Sequence, residues 1–390
     1  MACNRLWFDD GAIAFAADDC SGALVDYAGA LAGPSFAMNL RDDLIARIRA
    51  EGPITVAAFM EEALLHPTKG YYTSRSPLGR KGDFVTAPEI SQMFGELVGL
   101  SVAQSWLDQG APSPFNLVEL GPGRGTLMAD VLRAAHTVPG FHAAARIILV
   151  EASPLLQSEQ AKTLAGHEVT WVDSVHKIPN GPLWLVANEF FDALPVRQFQ
   201  RDSTGWRERC IGLAENALAF GLGPAAPQTH LAHRLDDTKT GDIVETCAPA
   251  CQIIGTIGQR IASQGGAALI IDYGDWRSRG DTLQAVVNHA STDPLERPGE
   301  ADLTAHVDFE TLAQSAAPAA YARVTPQGVF LERLGITPRA QQLAKKLGGH
   351  ALEAHVAAHR RLTHPKEMGN LFKVLGLFPA ASAPPPGLTK

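Results

Sequence analysis

The stretch from Glu119 to Thr126 carries the first chemical signal. Glu119 is followed by Gly121, Pro122, Gly123 and Gly125. Glycine accepts backbone angles closed to other residues and lets a ligand reach the main chain. Apolar Leu117, Val118 and Leu120 precede the turn, and Leu127, Met128, Val131 and Leu132 follow it at helical spacing. The turn therefore joins a buried strand to a helix whose free N–H groups face a ligand. The dinucleotide fingerprint G-x-G-x-x-G needs its third glycine where Thr126 stands; here it comes one position early, at Gly125. A carboxylate at the strand end, Glu119, repels a pyrophosphate and suits a ligand with an ammonium or sulfonium group. S-Adenosyl-L-methionine (SAM) carries both. The competing reading is a strand–helix turn that binds nothing.

Three later strand-like runs also end in polar groups. Ile147 to Val150 ends in Glu151, which can accept both hydroxyls of a ribose or cap the helix after Ser153-Pro154. Val169 to Val172 ends in Asp173, which can bond an adenine amino group or only cap a turn. Leu183 to Ala187 ends in Asn188-Glu189-Phe190-Phe191-Asp192. Ligands of open α/β sheets bind outside the carboxyl ends of the strands, and two carboxylates with an amide there are costly unless used or paired. Asn188 is assigned to the cofactor, and Glu189 and Asp192 to the group that reacts.

The elements that must hold these residues follow the pattern of an α/β chain. Helices with apolar faces are expected from Leu40, from Thr55 as N-cap, and after Ser91. Between them runs a loop, Gly79 to Glu89, of glycine, charge and one aromatic. Its part from Gly82 to Pro88 is expected to close over the cofactor, with Phe84 and Thr86 against it. From residue 113 onward strands and helices alternate, the mark of a parallel sheet. The alternation breaks over 197–262, where alternating residues around Asp202 to Gly205 and a turn at Asn216 read as an antiparallel meander, followed by a Pro-rich linker at 224–227. A helix carrying Ile253, Ile257 and Ile261 and a fifth strand, Ala267 to Ile271, resume the sheet. The tail from Ala380 to Pro386 is expected to fray.

Composition sets the outer limits. The chain has 390 residues, 46% of them hydrophobic, enough for one elaborated domain or two. A net charge of −8 argues against broad nucleic-acid binding. Five scattered cysteines fit a reducing compartment, and neither Cys247-x-x-x-Cys251 nor the pair His355 and His359 has the companions of a metal site. No apolar run reaches bilayer length. Residues 1–37 hold one basic residue, Arg5, against five aspartates. Signal and transit peptides are basic at this end, so a cytoplasmic location is expected. The stretch reads as an over-called start ahead of Met38 or as an arm packed on the domain.

The acid-x-G-x-G-x-G pattern resembles that of class I SAM-dependent methyltransferases. Further stretches resemble one family among them, the MidA-like methyltransferases. These are Gly82 to Glu89, Val118 to Gly125, Asn188 to Val196, Asp293 to Glu296, Asp302 to Phe309 and Pro365 to Val374. The likeness runs from about Met38 to Leu375. The glycine motif is shared by all class I enzymes; the runs 82–89 and 188–196 are far more specific. The resemblance implies a Rossmann-like α/β methyltransferase fold over 113–390, with an inserted antiparallel and helical region at 197–262. It adds an N-terminal helical module with the cofactor loop at 38–112. It also implies SAM as cofactor and, as acceptor, an arginine of a protein, a respiratory complex I subunit or its bacterial counterpart. Eukaryotic members of the family work in the mitochondrial matrix.

Arginine makes a definite chemical demand. Its guanidinium stays protonated and is a poor nucleophile. A carboxylate pair can fix its plane and polarise one nitrogen. Glu189 and Asp192 are the candidates, with His306, Glu300 and Asp302 contributing from a later loop. Two other classes stay open: a SAM-binding assembly protein with little catalysis, and a small-molecule methyltransferase. A base methyltransferase is weakened because Asn188 is followed by Glu189-Phe190 rather than by prolines.

Overall fold

A computed structural model describes residues 39–74 and 86–390. Its centre is a mixed sheet of six principal strands. They are β1 (Phe115–Leu120), β2 (Ala145–Val150), β3 (Val169–Val172), β4 (Leu183–Asn188), β5 (Gly266–Asp275) and β6 (Phe372–Phe378), in spatial order 3-2-1-4-5-6. The first five are parallel; β6 runs antiparallel to β5 in a register that pairs Ile270 with Leu375. The strand order reverses at β1 and β4, which are neighbours although two strands separate them in sequence. That is the crevice where ligands of open α/β sheets bind.

Both faces of the sheet are covered. On one lie α3 (Gln92–Asp108) and α4 (Thr126–Ala135), whose Phe94, Val98, Leu127 and Val131 pack with Leu117 and Trp184. On the other lies α6 (Ala248–Gln264), whose Ile253, Ile254, Ile257 and Ile261 pack with Val118, Leu185 and Ile270. Burial on both faces explains why β1 and β4 read as unbroken apolar runs rather than alternating ones. Helix α3, which its place in the chain groups with the N-terminal module, thus belongs physically to the main sheet, as α6 does rather than to the insertion.

The interruption of the alternation is an antiparallel sheet built from Arg197–Asp202, Gly205–Ala214, Ala217–Ala226 and Ile243–Thr246. Glu215 and Asn216, both at positive φ, turn its long hairpin, the geometry that matches the twist of paired strands. The segment at 224–226 is strand, not linker. It pairs where the register slips between Arg207 and Arg209, a place where a strand tolerates proline. A fifth strand, Ile54–Thr55, comes from the N-terminal region, so the insertion and the helices α1 (Leu40–Glu51) and α2 (Val56–Leu65) share one core around Phe59, Met60 and Ile211. As expected, the Thr55 hydroxyl caps α2, accepting from Ala58 N at 3.1 Å.

One expectation about the C-terminus fails, and the sheet gains a strand there. The run from Phe372 to Leu375 is the start of β6, paired beside β5, while Leu371 ends a helical turn and is exposed. The tail does not fray: Leu388 is buried against Gly376, the Ser101 hydroxyl donates to Pro386 O at 2.8 Å, and Arg323 N donates to Thr389 O at 2.9 Å. A single well-placed leucine with two backbone-directed bonds is enough to hold a segment that composition alone marks as loose.

Candidate functional site

The glycine turn lies at the mouth of the crevice. Gly121, Gly123 and Gly125 have φ of 57°, 54° and 80°, left-handed values that tax any residue with a Cβ. A Cβ on Gly121 would stand 2.8 Å from the Phe190 ring, which ties the turn sterically to the loop after β4. Just before the turn, Glu119 is buried and its Oε2 has no hydrogen-bond partner. Burial pushes its pKa up to about 8, against a partial offset from the Met128 N–H. An orphaned acidic oxygen beside a glycine cradle fits the ammonium end of SAM.

Glu151, at the end of β2, has one oxygen bound by Ser153 N at 2.8 Å and the other by Gln160 Nε2 at 3.1 Å. Burial raises its pKa. Gln160, on α5 (Pro154–Thr163), is the organising residue here and nothing in the sequence marks it. It is fully buried, donates also to Gly123 O at 2.8 Å and accepts from Trp171 Nε1 at 2.8 Å. One amide therefore fixes the glycine turn, Glu151 and β3 together. Gln160→Leu keeps the bulk but strands three buried polar partners, each costing about 1–3 kcal/mol. We expect S-adenosyl-homocysteine (SAH) affinity to fall about tenfold, and calorimetry at the wild-type affinity would remove Gln160 from the site. Asp173, just past β3, pairs with Lys177 Nζ at 2.7 Å.

The end of β4 carries the second cluster. Glu189 has φ of 51°, a conformation that costs a non-glycine residue about 1–3 kcal/mol and recurs where geometry serves function. Its N–H donates to Ile271 O at 2.9 Å, and its Oε1 accepts from Ala87 N at 3.0 Å and Asn188 Nδ2 at 3.1 Å. Ala87 opens a helical turn, Ala87–Ile90, with Thr86 at its N-cap position, so the loop that carries Thr86 is fastened to Glu189. Glu89 of the same turn takes the Thr126 hydroxyl at 2.5 Å, which fastens it to the glycine turn as well. Phe84 and the loop up to residue 85 lie outside the described residues.

Asp272, fully buried at the end of β5, was not singled out by the sequence. Its Oδ2 accepts from the N–H groups of Phe190, Phe191 and Asp192 at 3.2, 2.9 and 3.3 Å, and its Oδ1 from Tyr273 N at 3.0 Å. This carboxylate sets the shape of the whole 190–192 loop. Burial, then Glu189, pushes its pKa up to about 7.

Asp192 is buried, and its Oδ1 has no partner. Burial raises its pKa well above the usual range; the charges that add to this are Asp272, Glu189 and Asp302, opposed by a hydrogen bond from Tyr273. Asn188 Oδ1 is likewise buried without a partner. Among the described residues, Arg361 of α7 (Gly349–Thr363) is the cation acting on Glu189, and its pull is the smallest of the named influences there. His306 stands behind Tyr273, ring to ring at 5.3 Å, with its pKa lowered by burial and by Lys373. Glu300 is exposed. Carboxylates brought together with oxygens left open suit a cationic, multi-donor ligand. Two histidines on α7 bond to the neighbouring helix Ile336–Ala344: His355 Nε2 meets Ala340 O at 3.0 Å and His359 Nε2 meets the Thr337 hydroxyl at 3.0 Å.

The chain is similar to known proteins in sequence and in fold. Residues 97–326 match a family model described as "Putative S-adenosyl-L-methionine-dependent methyltransferase". The chain is 40% identical over 365 residues to "Protein arginine methyltransferase NDUFAF7, mitochondrial" of Mus musculus, covering 86% of this chain and 83% of that protein. It is 38% identical to the Homo sapiens protein of the same name, covering 86% and 82%. A Burkholderia thailandensis crystal structure bound to S-adenosyl-homocysteine superposes with a TM-score of 0.76 at 30% identity, covering 87% of this chain and 91% of that one.

Proposed function

The chain belongs to this family of S-adenosyl-L-methionine-dependent methyltransferases, and from that premise we propose that it methylates an arginine side chain of a partner protein. The observation that carries the proposal is the buried, unpartnered Oδ1 of Asp192 at the end of β4, surrounded by further carboxylates. A guanidinium offers five N–H donors in a fixed fork and a charge that offsets the repulsion among these acids. The names of the mouse and human relatives support arginine as the acceptor. The resemblance in sequence extends the proposal to a respiratory complex I subunit or its bacterial counterpart.

When bound, SAM supplies an electrophilic methyl group. In this reading the chain does the rest. Gly121, Pro122, Gly123 and Gly125 let the cofactor approach the backbone. Glu119 takes the ammonium group, Glu151 the ribose hydroxyls, and Asp173, Asn188 and Thr86 line the adenosyl path. Glu189, with Oε1 engaged by Ala87 and Asn188, turns its other oxygen to the guanidinium. Asp192 Oδ1 takes a second N–H, and its raised pKa suits it to accept the proton that must leave as the methyl arrives. His306 supports this proton traffic from behind Tyr273. Alignment of the two reactants supplies much of the rate.

Methyl transfer from labelled SAM to proteins of cells lacking the enzyme, followed by amino-acid analysis, tests the proposal. Label in methylarginine is expected; label confined to another amino acid or to a small molecule would overturn it.

The site also predicts a proton balance. In the free protein Glu119, with a pKa of about 8, holds its proton at pH 7. An ammonium group beside it favours the carboxylate, so binding must release a proton at pH 7 and release little at pH 9. Calorimetric titration with S-adenosyl-homocysteine in buffers of different ionisation enthalpy should give that release for wild type and none for Glu119→Gln. A wild-type enthalpy independent of buffer would contradict the role given to Glu119.

A further inference from the structure

The acceptor site as read above is built from the ends of β4 and β5, yet two groups coupled electrostatically to Asp192 come from outside the parallel sheet. Tyr72 lies on the short helix Tyr71–Ser74, and Asp302 begins the strand Asp302–Thr304 of a small separate sheet. The Tyr72 hydroxyl donates to Asp302 Oδ1 at 2.8 Å across 230 residues of sequence. Asp302 is buried, and both it and Tyr72 act electrostatically on, or are acted on by, Asp192.

We propose that Tyr72 and Asp302 form the outer wall of the acceptor pocket and set its preference for a guanidinium over an ammonium side chain. The inference rests on the arginine reading above and goes one step beyond it. Its physical basis is the direction of the hydrogen bonds. A phenol that gives its proton to a carboxylate has only lone pairs left to offer, so the oxygen of Tyr72 becomes an acceptor held by the negative charge of Asp302. Tyr273 is held in a similar way, bonding Asp192 and Thr304. The acceptors offered to a substrate thus come from two separate elements: Glu189 and Asp192 on the loop after β4, and Tyr72 on the helix Tyr71–Ser74. A planar fork with five donors can engage acceptors spread in this way, whereas the three donors of an ammonium radiate from one nitrogen and cannot span them. The same buried cluster excludes a neutral acceptor, which would leave the carboxylates unpaired.

The bland alternative is that the Tyr72–Asp302 bond only staples a helix to a strand. The two readings separate in one set of measurements. The labelled transfer reaction onto undermethylated cell protein is run with N-acetyl-arginine methylamide or N-acetyl-lysine methylamide as competitor. Wild type, Tyr72→Phe and Asp302→Asn are compared, with S-adenosyl-homocysteine affinity and Tm measured alongside. Wild type should be inhibited at least tenfold more strongly by the arginine compound. Tyr72→Phe, which removes only the acceptor oxygen, should lose at least fivefold of that discrimination and raise the KM for acceptor protein, while affinity for S-adenosyl-homocysteine stays within twofold. Asp302→Asn, which keeps a bond to Tyr72 but removes the charge, should move the same way. The wild-type ratio in both variants overturns the inference, and so does a loss of S-adenosyl-homocysteine affinity and Tm in parallel with activity. If the labelled residue in wild type is not methylarginine, the arginine reading itself falls. If it is methylarginine and Tyr72→Phe discriminates like wild type, only the wall is lost.

Discussion

Replacing Glu189 with glutamine should slow methyl transfer at least a hundredfold while leaving cofactor binding nearly intact. The substitution keeps the size of the side chain and removes the charge. The amide can still meet Ala87 N through its oxygen, as Glu189 does now at 3.0 Å. The groups assigned to ammonium and ribose, Glu119 and Glu151, sit on other strands. What is lost is the negative oxygen turned toward the acceptor, and a hundredfold corresponds to roughly 2.7 kcal/mol of transition-state stabilisation. Asp192→Asn should be of similar size. The double variant should fall far short of the product of the single effects, because two groups that hold one guanidinium act as a unit. Single-turnover methylation at saturating SAM reads this directly. A Glu189→Gln enzyme that turns over at the wild-type rate would reduce Glu189 to a loop anchor and move the clamp to Asp192 and Asp302.

The second large effect is expected at the glycine turn. Gly123→Val places a β-branched side chain at φ 54°, where an L-residue is strained by about 1–2 kcal/mol, and puts it where the cofactor meets the backbone. Gly123 is also the residue whose carbonyl Gln160 holds. S-Adenosyl-homocysteine affinity should fall at least tenfold, about 1.4 kcal/mol or more. Circular dichroism and Tm keep the result interpretable: a variant that is folded and binds like wild type would remove the turn from the site.

Much of this site is legible in the sequence because its parts are local. A strand, a glycine turn and a helix follow one another between residues 115 and 135, and the acids at 119, 151 and 189 stand next to the apolar runs that position them. Caps such as Thr55 and Asp308 are legible for the same reason, since the hydroxyl or carboxylate and the N–H it accepts lie three residues apart. The pieces that escape are set by topology. Asp272 shapes the 190–192 loop from 80 residues away because β5 lies beside β4. Tyr72 meets Asp302 only after the N-terminal helices have docked on the insertion. Gln160 sits on an unremarkable polar helix, and its burial under the glycine turn could not be inferred from spacing. The strand β6 hides for a related reason: an apolar segment following several helices carries no sign that it inserts beside β5.

Asp173 differs from the other strand-end acids: Lys177, four residues on, pairs with its Oδ2. A strand-end acid with a nearby cation has a partner already; Glu119 and Asp192 have buried oxygens without one. That contrast makes Glu119 and Asp192 the acids whose charge most needs a ligand.

The central claim is that the acids at the end of β4 hold an arginine for methylation by SAM. It is tested most directly by mass spectrometry of the proteome from cells lacking the enzyme, complemented with wild type or with Glu189→Gln. A methylarginine absent from the deletion strain should return with wild type and stay absent with Glu189→Gln expressed at the same level. If no methylarginine depends on the enzyme, or if Glu189→Gln restores it fully, the claim is contradicted.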